Sequence, residues 1–476
     1  MFFVRRQTKT GCGCVLCLPY GGSMNIIIVG CGKVGSALAE QLADDGHDIT
    51  VIDTNPEAVR RITETSDVMG IVGNGAVHLV QQEAGIEYAD MFIVMTNSDE
   101  LNLLCCMIAK RASDCKTIAR VRNPVYINES SFIKEKLGIS MIINPEFVAA
   151  SEMARLFSIP SAIEVDTFER GRIELLKTQV PEKSPIAGVR IRSALGKLSG
   201  RILICAVERG NEVIIPSGDD FIYAGDKISF ITTHKDASQF FKKAGIENGH
   251  LRSVIIVGGG KITVYLTKML CEYGFKVKVI EKDKAQCEYL NSILPANVLI
   301  INGDGSDQRL LLEEGISEAD GFASITDIDE ENIMLSLYVG SNFSAKTVTK
   351  INKLNFEGII DRLPIGSVVY PKNITAELIL SYVRALTNSA GSSSIQTLYN
   401  IIGGKAQALE FKVRSESEVV GKSLSELRIR KNVLVCCIGR GGKMIIPSGQ
   451  DSIRVGDTVV VVTTDKDLND LSDILS

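Results

Sequence analysis

Two stretches of the chain, NIIIVGCGKVGSALAEQL from Asn25 and SVIIVGGGKITVYLTKML from Ser253, superimpose without a gap. The correspondence continues downstream at nearly constant spacing. Gly30 and Gly258 are 228 residues apart, Gly73 and Gly303 are 230 apart, and so are Thr96 and Thr326. Pro216 and Pro447, 231 apart, anchor a second matching block, EVIIPSGDDFIYAGDKISFITTHKD (212–236) against KMIIPSGQDSIRVGDTVVVVTTDKD (443–467). A chain that repeats a composite unit in this way folds as two similar halves, not as one large core.

Each half has two parts of different rhythm. In the first, NIIIVG, DITVID, MGIVGN, MFIVMT and TIARVR are strand-sized apolar runs, with helical patterns over Lys33 to Ala43 and Val77 to Ala84. Strands alternating with helices imply a parallel sheet with right-handed crossovers. The second part, RILICAVERGNEVIIPSG followed by GDKISFITT, reads as strands joined by Gly-Asn and Gly-Asp turns. The predicted fold is therefore α/β: two Rossmann-like doubly wound N-subdomains (24–144 and 251–370), each followed by a small α+β C-subdomain (161–243 and 395–476). Crossover helices over 145–160 and 371–387 open at Pro145 and Pro371, a residue suited to a first helical turn. Their apolar runs, EFVAASEMARLF and AELILSYVRAL, fit either subunit contacts in a ring or a plain core helix.

Composition removes several function classes. A net charge of −5 over 476 residues gives no electrostatic case for nucleic acid. No run approaches the ~18 apolar residues that cross a bilayer, so a role at a membrane requires docking to a protein already there. The twelve cysteines are scattered, mostly in apolar runs, which fits a reducing compartment. Residues 1–23 are expected to be disordered or a mis-called start. Their Cys12, Cys14 and Cys17 lack a fourth metal ligand at usual spacing, so no metal site is predicted.

The glycine loops carry the chemistry. Gly30-Cys31-Gly32-Lys33-Val34-Gly35 follows a strand and opens a helix, the context in which such a loop cradles a pyrophosphate. Gly30 serves the turn, Gly32 the approach of phosphate, and Gly35 the packing of helix on sheet. Asp53, 23 residues after Gly30 at the end of the second strand, is placed to accept ribose hydroxyls and favours NAD(H) or adenosine nucleotides over NADP. The second copy keeps Gly258, Gly260, Lys261 and the acid Glu281, but Thr263 replaces the third glycine. It either binds through a looser loop or serves as a nucleotide-free scaffold. At neighbouring strand ends lie Gly73, Asn74, Thr96 and Asn97, with Gly303, Asp304 and Thr326 as their second-copy counterparts. Arg120 and Arg122, two apart on one strand, could clamp phosphate or form surface salt bridges, and their counterparts are Lys350 and Asn352.

Catalytic machinery is not legible. The four histidines, His47, His78, His234 and His250, have no repeated or clustered placement, and no nucleophile elbow or zinc motif occurs. Binding without turnover is the favoured reading. An NAD-dependent oxidoreductase built from fused Rossmann domains is the alternative, and a purely structural adaptor a third.

The motifs IIIVGCGKVG, VIDTN, GNGA, ADMFIVMTNSDELN and ARVRNPVY, followed by IIPSGDDFIYAGD, resemble the regulator-of-potassium-conductance (RCK, or KTN) subdomains. Their doubling over 24–476 resembles the peripheral cytoplasmic subunits of bacterial Trk potassium transporters. The resemblance implies a nucleotide-binding gating protein, with NAD(H) or ATP/ADP as ligand. It also implies a homo-oligomeric ring, a tetramer, beneath a TrkH/TrkG-type membrane subunit at the inner face of the cell membrane. It implies nucleotide contacts at Gly30, Gly32, Gly35, Asp53, Thr96, Arg120 and Arg122. Asn74, where many relatives carry Asp, and Thr263 depart from the pattern.

Overall fold

The computed structural model describes residues 23–476 apart from 169–172, 198–201, 211, 247–250, 353–359, 361–362, 388–392, 402–404, 466–467 and 469. Residues 1–22 with their three cysteines, the turn residue Asn211, His250 and most of the Ser/Gly joint near 390 lie outside the described residues.

In the first half, β1 (Asn25–Val29), β2 (Asp48–Asp53), β3 (Met69–Val72), β4 (Met91–Val94), β5 (Lys116–Arg120) and β6 (Met141–Ile143) form one parallel sheet in the order β3-β2-β1-β4-β5-β6. Ile26 to Val29 are all buried, as befits a strand covered on both faces. The covering helices are α1 (Lys33–Asp44), α2 (Pro56–Thr65), α3 (His78–Glu83), α4 (Asp99–Ala112), α5 (Pro124–Asn128) and α6 (Ser130–Leu137). Strand order reverses at β1, which puts the glycine loop at the crevice where such sheets bind ligands. The sixth strand and the helices α2, α4, α5 and α6 go beyond the sequence reading. The helix α7 (Pro145–Ser158) follows, with the Asn144 side chain capping its first turn.

The first C-subdomain contains β7 (Glu164–Phe168), β8 (Ile173–Gln179), β9 (Val189–Arg190), α8 (Ile191–Lys197), β10 (Leu203–Arg209), β11 (Glu212–Ile214), β12 (Phe221–Ile222), β13 (Lys227–Thr232) and α9 (His234–Lys243). Its antiparallel sheet runs β11-β10-β13-β8-β7. The turn between β10 and β11 passes through Gly210 at φ +61°, where the Gly-Asn signal predicted it.

The second half repeats the plan. The strands β14 (Ser253–Val257), β15 (Lys276–Glu281), β16 (Leu299–Asn302), β17 (Gly321–Ser324), β18 (Lys346–Lys350) and β19 (Ser367–Val369) are ordered β16-β15-β14-β17-β18-β19. Its helices are α10 (Lys261–Glu272), α11 (Lys284–Ile293), α12 (Gln308–Glu313), α13 (Asp329–Asn342) and the crossover helix α14 (Pro371–Thr387). The strands β20 (Ser393–Ile401), β21 (Ala406–Val413), β22 (Val433–Arg440), β23 (Lys443–Ile445) and β24 (Thr458–Thr463) form the last antiparallel sheet, β20-β21-β24-β22-β23.

The crossover helices join the halves. Ile379, Leu380 and Val383 of α14 share a buried cluster with Leu38 and Leu42 of α1. Met153 and Phe157 of α7 share one with Leu266 and Leu270 of α10. The apolar stripes that fitted either ring contacts or a core are thus buried between the two halves of one chain. The C-subdomain sheets also meet: Leu175, Cys205 and Ile231 pack with Ala408, Cys436 and Val460. No helix among the described residues is long and apolar enough to cross a membrane.

Candidate functional site

The first glycine loop is built by close approach. Gly30 has φ +102°, and its amide donates to the Ile52 carbonyl at 2.8 Å. A Cβ on Gly30 would lie 3.0 Å from the backbone of Met95. A Cβ on Gly35 would lie 1.9 Å from the Gly30 carbonyl oxygen, so in this loop any other residue forces the loop or α1 to shift. Gly32, the N-cap of α1, has nothing within 4 Å of a Cβ and faces open space. The first amides of α1 have no carbonyl within the helix and present partial positive charge there.

Asp53 is tied into this loop. Its Oδ2 accepts from the Cys31 amide at 2.6 Å and its Oδ1 from the Asn55 amide at 2.8 Å. A carboxylate has about four acceptor positions, so ribose hydroxyls can still be received. Glu281 repeats the bond, accepting from the Gly259 amide at 2.6 Å. Burial, with Asp53 alongside, pushes the Cys31 thiol up to about 12, so it stays protonated.

In the second copy Gly258 keeps φ +103°. Thr263 is wholly buried, and its hydroxyl donates to the Gly258 carbonyl oxygen. The loop is thus pinned by a side-chain hydrogen bond where the first copy has van der Waals contact with a glycine. The expectation of a looser loop is corrected on this point.

The strand-end residues divide into two groups. Thr96 donates its hydroxyl to Asn102 Oδ1, which also accepts the Thr96 amide at 3.0 Å, while Asn102 Nδ2 donates to the Arg120 carbonyl at 2.8 Å. Thr326 and Asn332 repeat the arrangement up to Lys350. These buried asparagines fasten β4 to β5 and β17 to β18, and the sequence reading missed both. The signal was present, because TNSDELN and TDIDEEN both end on them. The Asp99 carboxylate likewise receives the Arg122 and Asn123 amides at 2.9 and 2.7 Å. The Gly73 amide donates to the Asp53 carbonyl, and Gly303 to that of Glu281. Asn74 Oδ1 accepts from the Ala76 amide at 2.9 Å and shapes the turn into α3. Asp304 accepts from the Ser306 amide and hydroxyl, which hold its carboxyl below the usual range.

Both loops open into one cleft of about 780 Å³ between the halves, within the range of ligand sites. The first half contributes Gly32, Lys33, Val34, Asn97, Arg120, Arg122 and Glu146. The second contributes Gly258, Gly260, Lys261, Glu281, Asp304 and Thr326. Gly30, Cys31, Gly35, Asp53, Gly73, Asn74, Thr96 and Gly303 do not line this cleft. Seven lysines and arginines face five carboxylates along its walls, a cationic excess in a chain of net charge −5, which suits phosphate. Neither histidine nor cysteine is among its lining residues. Glu146 was missed by the sequence reading. It lies 3.3 Å from Arg120 and 4.0 Å from Arg122. Arg122 also donates to the Asn97 carbonyl. The two arginines therefore converge on one carboxylate, an ion-pair cluster set into the cleft wall and not at the surface.

Tyr265 links the two sites. Its hydroxyl donates to the Arg122 carbonyl and accepts from Asn144 Nδ2, each at 2.9 Å. Tyr265→Phe is expected to cost about 1 kcal/mol, the worth of one net hydrogen bond. The thermal midpoint would show it.

The TrkA-N domain family matches residues 26–145 and 254–371, and the TrkA-C domain family matches 178–245 and 408–476. The chain is 32% identical over 446 residues to Trk system potassium uptake protein TrkA homolog 1 of Methanosarcina mazei, covering 92% of this chain and 97% of that protein. It is 31% identical over 451 residues to Trk system potassium uptake protein TrkA of Halomonas elongata, covering 93% and 96%. Among solved structures, the GsuK RCK domain aligns with a TM-score of 0.61 at 17% identity over 94% of both chains. The GsuK channel bound to NAD aligns with a TM-score of 0.61 at 16% identity, over 94% of this chain and 78% of that one. At such identities the likeness is one of fold.

Proposed function

Because the chain belongs to the TrkA family, with its paired TrkA-N and TrkA-C domains, we propose that it is the nucleotide-binding gating subunit of a Trk-type potassium uptake system. It regulates and does not catalyse. It acts from the cytoplasmic face, as a homo-oligomeric ring against a TrkH/TrkG-type membrane subunit that carries the ion. Its ligands are NAD(H) and the adenosine nucleotides ATP and ADP, held by the first loop with its acid (Gly32, Lys33, Asp53) and by the second (Gly260, Lys261, Glu281), with Arg120 and Arg122 contributing to the cleft that both loops share. The GsuK channel bound to NAD supports the dinucleotide on the same fold.

The observation that carries this reading is the single cationic cleft shared by two glycine loops. Each loop leads into a helix that packs on the other half's crossover helix, α10 on α7 and α1 on α14. The crossover helices continue into the C-subdomains. A ligand that binds one spacing of the loops better than another therefore shifts the whole chain between two arrangements.

Calorimetry of the purified chain with NADH, ADP and ATP tests this. The double variant Asp53→Ala, Gly32→Asp removes the ribose acceptor and puts a carboxylate where Gly32 faces open space. In a background silenced at the second loop by Gly260→Asp, it is expected to weaken binding on the order of a hundredfold. Unchanged affinity would mean the site lies elsewhere. Sustained NADH oxidation with a small carbonyl substrate would sink the regulatory reading.

A further inference from the structure

The two ends of the cleft are built from corresponding positions but differ in charge, most sharply at one helix position where the sign reverses. Pro145 and Pro371 open α7 and α14, and the next residue of each, Glu146 and Lys372, lines the cleft. At the first end the Glu146 carboxylate sits between Arg120 and Arg122. Its Oε2 and the Nε atoms of both arginines are buried without hydrogen-bond partners, so this clamp is occupied by a carboxylate yet incompletely satisfied. At the second end the arginines become Lys350 and Asn352, and the carboxylate becomes Lys372. Among the described residues, Lys350 pairs with Asp327 at 3.1 Å, and the Asp327 side chain is fully exposed. Since α10 packs on α7 and α1 on α14, the first end faces the Lys261 loop and the second faces the Lys33 loop.

We infer that Glu146 and Lys372 give the two ends different phosphate preferences. The Lys33–Lys350–Lys372 end takes the polyphosphate tail of a nucleoside triphosphate, and the Glu146 end rejects it. At the second end Lys350 and Lys372 stand beside Lys33, and each hydrogen bond from a charged donor to phosphate contributes on the order of tenfold in affinity. At the first end an added phosphate must displace Glu146 from both arginines and leave that carboxylate buried and unpaired, a costly state. This inference rests on the reading that the cleft binds nucleotide.

Titration calorimetry on the full chain, with magnesium-free ATP and ADP, tests it. The wild type is expected to bind one equivalent of ATP tightly. Lys372→Glu should weaken ATP on the order of tenfold more than ADP, and the milder Lys372→Gln should shift the same ratio in the same direction if the charge reversal disturbs folding. Glu146→Gln should admit a second tight equivalent of ATP. An unchanged ATP-to-ADP ratio in the Lys372 variants, or an unchanged ATP stoichiometry in Glu146→Gln, overturns the inference while leaving the nucleotide reading intact. A wild-type chain that binds neither nucleotide nor NADH overturns the nucleotide reading itself.

Discussion

Gly35→Ala is expected to destabilise the first N-subdomain by about 3 kcal/mol, the upper end for overpacking a closed site. In thermal unfolding this is a fall on the order of 10 °C in the midpoint of that subdomain. The added methyl would lie 1.9 Å from the Gly30 carbonyl oxygen. That oxygen cannot retreat cheaply. Gly30 is held at φ +102° by its bond to Ile52, and a Cβ there would already crowd Met95. The remaining escape is for α1 to move off the sheet, which breaks the contacts of Leu38 and Leu42 with α14 and displaces the amides at Gly32. Nucleotide affinity should therefore fall together with stability. A variant with a wild-type midpoint would show that the loop has more slack than its geometry allows.

The second copy explains why this outcome is specific to the first. Thr263 occupies the matching position, and its hydroxyl donates to the Gly258 carbonyl, the counterpart of the Gly30 carbonyl that a methyl at position 35 would strike. Sequence alone identified the substitution and its cost to packing, but not the compensating hydrogen bond, because a buried threonine gives no periodic signal. The repeat, the parallel sheets and the crossover helices were legible for a different reason: apolar runs such as Ile26 to Val29 follow directly from strands covered on both faces. Periodicity shows that a face is apolar, not what covers it. Hence Ile379 and Phe157 were recognisable as buried but not as the residues that join the halves. Glu146 was overlooked because an acid in a first helical turn ordinarily complements the helix dipole. Only folding brings it between two arginines twenty-odd residues upstream in the chain.

Lys346→Met is expected to reverse its effect on stability between pH 7 and pH 10. Lys346 begins β18, and its Nζ donates to the Ala162 carbonyl at 2.6 Å, joining the second sheet to the segment that leaves α7. Among the described residues no carboxylate pairs with it, and burial pushes the ammonium down to about 8. An unfolded lysine titrates near 10.4, at about 1.4 kcal/mol per unit of difference. Below pH 8 both states are protonated, and the folded chain bears the whole cost of burying the charge. Discounted for the partial exposure of the side chain, this is about 2 kcal/mol. Between the two values the unfolded state holds more protons, so raising the pH stabilises the wild type relative to the variant. Methionine carries no such penalty but leaves the buried Ala162 carbonyl without its donor, at a cost of about 1 kcal/mol. The variant should therefore melt above the wild type at pH 7, by about 1 kcal/mol, and below it at pH 10 by only about 0.3 kcal/mol, because the unfolded lysine is still largely protonated there. A gap between the two midpoints that stays constant across this range would mean that the ammonium reaches solvent or a carboxylate in the folded chain.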